Sequence, residues 1–199
     1  MSVQANRTMN FESLEDRKLM AASIELNGGV LEIEGTYGND VIEIQNERIS
    51  ADSMGVKVEV RDLNGKILAE ALYHDYNPNT LRIYRSHAIQ QIELDAGRGD
   101  DYVVNNSDSL RRKFYAHGGV GNDTLIGNNG YDYLYGETGN DFISGGDRRD
   151  YLYGGDGNDT IQGGGSSDYV FGGSGNDAID GQDGNDTLYG QSGNDTSVG

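Results

Sequence analysis

From Gly118 to Val198 the chain reads GGVGNDTLI, GNNGYDYLY, GETGNDFIS, GGDRRDYLY, GGDGNDTIQ, GGGSSDYVF, GGSGNDAID, GQDGNDTLY and GQSGNDTSV, nine blocks of nine residues without insertion or deletion. Position 1 is Gly in every block. Position 6 is Asp in every block: Asp123, Asp132, Asp141, Asp150, Asp159, Asp168, Asp177, Asp186 and Asp195. Position 8 is aliphatic from Leu125 to Leu188 and becomes Ser197 in the last block. In-phase repetition at a fixed period marks a solenoid, in which each repeat buries its apolar side only against its neighbours.

One block explains the pattern. Six Gly-rich residues can form a loop with positive φ values, and the three that follow can form a short strand. Alternate strand residues face opposite ways, so position 8 points inward and positions 7 and 9 point out. Two blocks then complete a coil of 18 residues with a loop on each side. Same-side loops stack at the strand spacing of about 4.8 Å, which sorts the nine carboxylates into two files. At that separation, neighbouring charges repel by on the order of 3–4 kcal/mol at an effective dielectric of 20. Calcium takes oxygen ligands at about 2.4 Å, so an ion fits between two such carboxylates, with loop carbonyls as further ligands. The expected fold is all-β: a right-handed parallel β-roll (β-solenoid) over 118–199, preceded by a β-rich cap.

Bulk composition agrees. Hydrophobic residues make up 35% of the 199 and Gly contributes 31, too lean a supply for a conventional core. The formal charge of −18 disfavours nucleic acid and anionic lipid and leaves two regimes, disorder or folding with bound cations. Without cysteine there are no disulfides and no thiolate sites, so carboxylate and carbonyl oxygens, suited to hard ions, are the available ligands. No stretch is long and apolar enough for a membrane span, and the N-terminus lacks the apolar core of an ordinary secretory signal.

The array resembles the hemolysin-type calcium-binding repeat of RTX proteins, with its GGxGxDxUx consensus. The resemblance spans 118–198 and extends to an outlying copy, GTYGNDVIE at 35–43 with Asp40 at position 6, and a worn copy, AGRGDDYVV at 96–104 with Asp101 there. It implies a calcium-stabilised roll with all nine position-6 aspartates as candidate ligands and up to about seven Ca2+ ions between stacked loops. Residues 11–21, FESLEDRKLMA, resemble a LEPRxLL-type export motif. Phe11, Leu14, Glu15, Arg17 and Leu19 match; Asp16 replaces the usual Pro and Met20 the usual Leu. That resemblance implies an extracellular or cell-surface destination in a bacterium. Many RTX proteins continue into a C-terminal secretion segment, whereas this sequence stops at Gly199, so export through the N-terminal motif and a fragment of a longer chain are both open readings.

The two files differ. Odd blocks all carry Gly-Asn-Asp at positions 4 to 6, while even blocks drift to Gly-Tyr-Asp, Arg-Arg-Asp and Ser-Ser-Asp and only Gly184-Asn185-Asp186 matches. The odd file (Asp123, Asp141, Asp159, Asp177, Asp195) is therefore expected to bind calcium well. The even file (Asp132, Asp150, Asp168, Asp186) is expected to hold fewer ions, with Arg148 or Arg149 replacing one by pairing with Asp132 or Asp168. Even blocks also carry Tyr133, Tyr151 and Tyr169 at position 7 and Tyr135, Tyr153, Phe171 and Tyr189 at position 9, two aromatic columns on one sheet. Stacking between strands accounts for them; an adhesin-like, carbohydrate-binding or self-association face is the alternative.

Residues 1–22 read as the export-motif tail, expected to be disordered, and 23–117 as a β-rich cap, with Asn-Gly turn signals at 27–28 and 64–65 between alternating runs. Residues 1–117 carry 13 Lys and Arg against 19 Asp and Glu, a net −6; residues 118–199 carry 2 against 14, a net −12. A less charged cap suits the open end of a solenoid. No HExxH, GxSxG or EF-hand pattern occurs, and His74, His87 and His117 stand apart, so an enzyme is not expected. At position 3 the odd blocks carry Val120, Thr138, Asp156, Ser174 and Ser192 in place of the regular Thr that an ice-binding face would want.

Overall fold

The computed structural model describes residues 22–27, 30–36, 38–50, 53–62, 67–74, 91–106 and 113–199. The export-like motif, residue 28 of the first turn signal and the second turn signal at 64–65 lie outside them. The described residues form seventeen strands and no helix. In chain order these are β1 (Ser23–Asn27), β2 (Val30–Glu34), β3 (Asp40–Ser50), β4 (Ser53–Asp62), β5 (Ile67–His74), β6 (Gln91–Asp95), β7 (Tyr102–Asn106), β8 (Lys113–Val120) and β9 (Thr124–Asn129). They continue with β10 (Tyr131–Thr138), β11 (Phe142–Asp147), β12 (Tyr151–Asp156), β13 (Thr160–Gly165), β14 (Tyr169–Ser174), β15 (Ala178–Asp183), β16 (Thr187–Ser192) and β17 (Thr196–Val198).

The chain alternates between two sheets. One runs β1-β2-β6-β8-β10-β12-β14-β16, the other β17-β15-β13-β11-β9-β7-β3-β4-β5. From β2 and β3 onward all coil-to-coil pairing is parallel, giving a β-solenoid of about six turns. Antiparallel pairing is confined to β1 on β2 and to β3-β4-β5, both at the first-coil end. The sheets cross residue 118 without a break: β6 pairs with β8 and β8 with β10. Parallel coils thus begin near residue 30, well inside the segment expected to act as a cap.

The position-8 residues line up across coils. Leu134, Leu152, Val170 and Leu188 form one column, and Leu125, Ile143, Ile161, Ile179 and Ser197 the other. Upstream the same columns continue through Ile33, Leu94 and Ala116, and through Ile42 and Val103. All of these apolar residues are buried except Leu188, which is half-buried, and Ser197 ends its column exposed.

The strands are longer than the repeat suggested. Most span six residues, positions 7 to 9 plus 1 to 3 of the next block, as in Tyr151–Asp156 and Thr160–Gly165. The glycines at position 2 pair within the parallel ladder instead of turning the chain: Gly155 pairs with Gly173 and Gly146 with Gly164. The turn is compressed into positions 4 to 6, and positive φ recurs at positions 2 and 4 of every block. At position 4, Gly139, Gly157 and Gly175 adopt φ of 141°, 144° and 130°. A Cβ added to Gly157 would fall on the carbonyl oxygen of Gly139 in the coil before it, so position 4 of the odd loops needs both the left-handed backbone and the bare Cα. At positions 148 and 166 the even loops use Arg148 and Ser166 at φ of 81° and 89°.

Gly157→Ala is therefore expected to cost about 3 kcal/mol or more. Gly165→Ala, where the nearest atoms lie 3.8 Å from an added Cβ, should cost under about 1 kcal/mol. Thermal unfolding in calcium-containing buffer checks both.

Candidate functional site

Each position-6 Asp from Asp123 to Asp177 closes a turn and donates its backbone N–H to Oδ1 of the Asp one coil further on. In the odd file Asp123 donates to Asp141 (2.7 Å), Asp141 to Asp159 (2.9 Å), Asp159 to Asp177 (2.9 Å) and Asp177 to Asp195 (3.0 Å). In the even file Asp132 donates to Asp150 (2.8 Å), Asp150 to Asp168 (2.8 Å) and Asp168 to Asp186 (3.0 Å). All nine aspartates singled out in the sequence thus stand in two hydrogen-bonded ladders, five in one and four in the other. The odd ladder also runs upstream, Asp40 donating to Asp101 (2.5 Å) and Asp101 to Asp123 (2.8 Å). The outlying and worn copies are the first two steps of the same file.

One oxygen of each carboxylate is thereby satisfied and the other is not. Oδ2 of Asp101, Asp123, Asp141, Asp150, Asp159, Asp168, Asp177 and Asp186 is buried and accepts no hydrogen bond; for Asp132 neither oxygen accepts one. From Asp123 to Asp177 these side chains are at most 2% exposed. Orphaned buried acceptors cost roughly 1–3 kcal/mol each, more when charged. Burial pushes the acids up: Asp123, Asp141, Asp159 and Asp168 to about 6, Asp101 and Asp132 to about 7, and Asp150 to about 9.

The space beside each orphan oxygen is shaped by the position-1 glycine. A Cβ built on Gly118 would sit 2.5 Å from Asp123 Oδ2 and 2.9 Å from the carbonyl oxygen of Gly136 one coil on. The same triad of bare Cα, orphan carboxylate oxygen and next-coil carbonyl recurs at Gly127, Gly136, Gly145, Gly154, Gly163 and Gly172. Among the described residues no three His, Cys, Asp or Glu side chains converge. A cation held here would draw on stacked pairs of aspartates plus main-chain carbonyls. Hard oxygen donors, buried anionic charge and room kept by glycine fit calcium.

The Gly-Asn-Asp of odd blocks has a role the sequence did not disclose. Asn140 donates both its N–H (2.8 Å) and its Nδ2 (3.2 Å) to Oδ1 of Asn122, and Asn158 and Asn176 repeat this on Asn140 and Asn158. Asp100 receives the first rung from Asn122, and Asn194 adds the last through its N–H. This exposed ladder points back along the solenoid while the Asp ladder points forward, so consecutive residues clamp each odd loop to both neighbours. Asn at 18-residue spacing was the available signal.

The arginines do not sit as expected. Arg149 donates Nε to the Ser167 carbonyl (3.1 Å), and Arg148 lies 5.5 Å from the centre of the Tyr131 ring. Neither makes the proposed ion pair with Asp132 or Asp168, because the short loop aims both side chains outward; Arg149 acts on Asp168 only as a nearby charge that favours the carboxylate. The aromatic columns do form. Tyr115, Tyr133, Tyr151 and Tyr169 stack at 4.5, 4.9 and 5.0 Å with near-parallel planes. In the second column His117 stacks on Tyr135 (4.7 Å), Tyr153 tilts against Phe171 (6.3 Å) and Phe171 stacks on Tyr189 (5.1 Å). Ring faces that a glycan would need are taken up by neighbouring rings, and no observation supports the adhesin-like alternative.

Residues 117–147, 144–179 and 163–197 match the family model of the RTX calcium-binding nonapeptide repeat. No curated protein and no solved structure matches the chain. No helix among the described residues is long and apolar enough to cross a membrane.

Two outcomes follow. Asn158→Ala, which removes its Nδ2 rung to Asn140 and the Oδ1 that accepts both rungs from Asn176, should cost about 1–2 kcal/mol in a denaturant titration of the calcium-loaded chain. The raised pKa values set the pH response without calcium. Because the folded carboxylates hold protons that the unfolded chain releases near 3.8, metal-free stability should fall as pH rises from about 4 through 6–7. With calcium the trend reverses, since protons then compete with the ion. Melting in chelator at pH 4.5, 6 and 8 tests this, and greater metal-free stability at pH 8 would contradict it.

Proposed function

We infer, from the RTX calcium-binding repeats carried by residues 117–197, that this region is a structural calcium-binding roll whose folding outside the cell is driven by ions seated between successive aspartates of each file. The observation that carries the reading is the row of buried, unpartnered Oδ2 atoms from Asp123 to Asp177, each facing a glycine and a next-coil carbonyl. Bound calcium supplies positive charge and oxygen coordination where the chain has only negative charge and acceptors. The protein's part is geometric. The Asp N–H ladder fixes one carboxylate oxygen so that the other is aimed into the gap. The position-1 glycine keeps that gap free of a side chain, and the strand spacing sets its height.

Four odd gaps between Asp123 and Asp195 and three even gaps between Asp132 and Asp186 give about seven ions. For extracellular-type sites with calcium at one to ten times the dissociation constant, each ion contributes roughly 0.4–1.4 kcal/mol. Seven then supply about 3–10 kcal/mol, comparable with the stability of a whole domain. The odd file should load more fully than the later even gaps, because its loops keep Gly at position 4 and the Asn ladder, while Arg149 already offsets part of the charge at Asp168. The role is structural, not catalytic. A secreted or cell-surface location, where calcium is plentiful, fits a roll that stays unfolded until export.

Far-UV circular dichroism during a calcium titration, with magnesium as control, should show a cooperative, calcium-specific gain of β signal. A full β signal in chelator that calcium does not change would rule out calcium-driven folding.

A further inference from the structure

The two files begin differently. The odd file starts at Asp40, whose carboxylate is closed by its own loop: Thr36 donates its N–H to Oδ2 (2.5 Å) and its hydroxyl to Oδ1 (3.1 Å). Every later odd aspartate receives the N–H of the Asp before it. The even file starts at Asp132, and the residue in register with it on the preceding strand is Phe114. Phe114 is fully buried within β8, which is paired on both sides, so the coil before Asp132 presents an aromatic ring where every other file member meets a backbone donor. Asp132 is 0% exposed and neither of its oxygens accepts a hydrogen bond. The Gly145 carbonyl, one coil on, lies beside Asp132 Oδ2, and Asp150 is also 0% exposed with its Oδ2 orphaned beside the Gly163 carbonyl.

Asp132 therefore carries two orphaned oxygens, against at most one on every other buried member of the files, and its Oδ2 lies on the Asp150 side beside the Gly145 carbonyl. The nearby arginines are engaged elsewhere, Arg148 over Tyr131 and Arg149 on Ser167. We propose that the Asp132–Asp150 gap is the keystone calcium site of the roll, the first to fill and the one on which the later coils depend. This rests on the reading of the roll as a calcium-binding fold and adds an order to it. An orphaned buried charge is the costliest polar defect in the solenoid, so the gap that holds it gains most from a cation. Thr36 makes the corresponding start of the odd file independent of metal, so the first coils can template a solenoid whose ion loading begins one step further on.

The test uses the full chain, Asp132→Asn and Asp159→Asn, followed by equilibrium dialysis with radioactive calcium and by circular dichroism. Asn keeps the side-chain shape at 132, and at 159 it also keeps the Oδ1 acceptor for the Asp141 N–H. Asp132→Asn should remove the tightest-bound ion and raise the calcium midpoint of folding about tenfold or more, and should raise the melting temperature in chelator. Asp159→Asn should shift the midpoint less than about threefold. Equal effects of the two substitutions, or an unchanged tightest site in Asp132→Asn, would overturn the order. A wild-type chain that binds no calcium would instead overturn the reading beneath it.

A measurement on the unmutated chain covers the case in which Asp132→Asn does not fold. All seven tyrosines of 118–199 lie in even blocks, with Tyr131 and Tyr133 flanking Asp132. With terbium as the probe, the first equivalent bound should give the strongest tyrosine-sensitised luminescence per ion. A dark first equivalent would place the first ion in the odd file and refute the proposal.

Discussion

Carboxylates of one sign, stacked at the spacing of β-strands inside a protein, are the constraint on which everything else in this molecule depends. Parallel pairing of 18-residue coils leaves no freedom to move them apart, because the pairing that holds the core columns in register also holds Asp123 over Asp141 and Asp132 over Asp150. The backbone relieves half of the problem by giving the Oδ1 of every repeat Asp except Asp132 an N–H. It cannot relieve the other half, since the amides at positions 4 and 7 of the odd loops are spent on coil-to-coil bonds such as Gly157 to Ser174 and Thr160 to Asp141. What remains is a row of anionic oxygens in need of an external cation.

The hydrophobic contribution is correspondingly thin. One aliphatic side chain per nine residues lines the interior from Leu125 to Ile179, and burying each is worth about 1.5–3 kcal/mol. Ordering nine backbone residues costs several times more. Ladders of Asp, Asn and aromatic residues are added on the periphery, where each repeats with the coil and so gains its partner only once the neighbouring coil is formed. Stability in such a solenoid is a nearest-neighbour property. That is why a gap with an unusually costly occupant, such as the one between Asp132 and Asp150, matters beyond its own loop.

Much of this was legible in the repeat. The inward aliphatic column, the two carboxylate files and the aromatic columns all follow from one period read against strand geometry, and they occupy the places that the period implies. Other features were not legible. Strands of six residues were read as three because Gly-Gly suggests a turn, yet within a stacked ladder glycine with positive φ still pairs with glycine. The Asn ladder was visible only as a sequence bias until the backbone showed N–H and Nδ2 of one coil reaching the same oxygen of the last. Arg148 and Arg149 looked like counter-ions because of their place in the block, but the loop geometry turned them to a ring and a carbonyl.

The sequence by itself determined the period, the parallel all-β class, and the identity and spacing of the acidic groups, because a ninefold repeat with alternating strand faces admits few other arrangements. Tertiary structure alone decided where the files begin and how each beginning is closed. Asp40, Asp101 and Asp123 are separated by 61 and 22 residues yet form consecutive rungs. Phe114 and Asp132 become neighbours only because β8 pairs with β10. Such juxtapositions depend on where the chain re-enters the roll after leaving it, and no local pattern records that point of return.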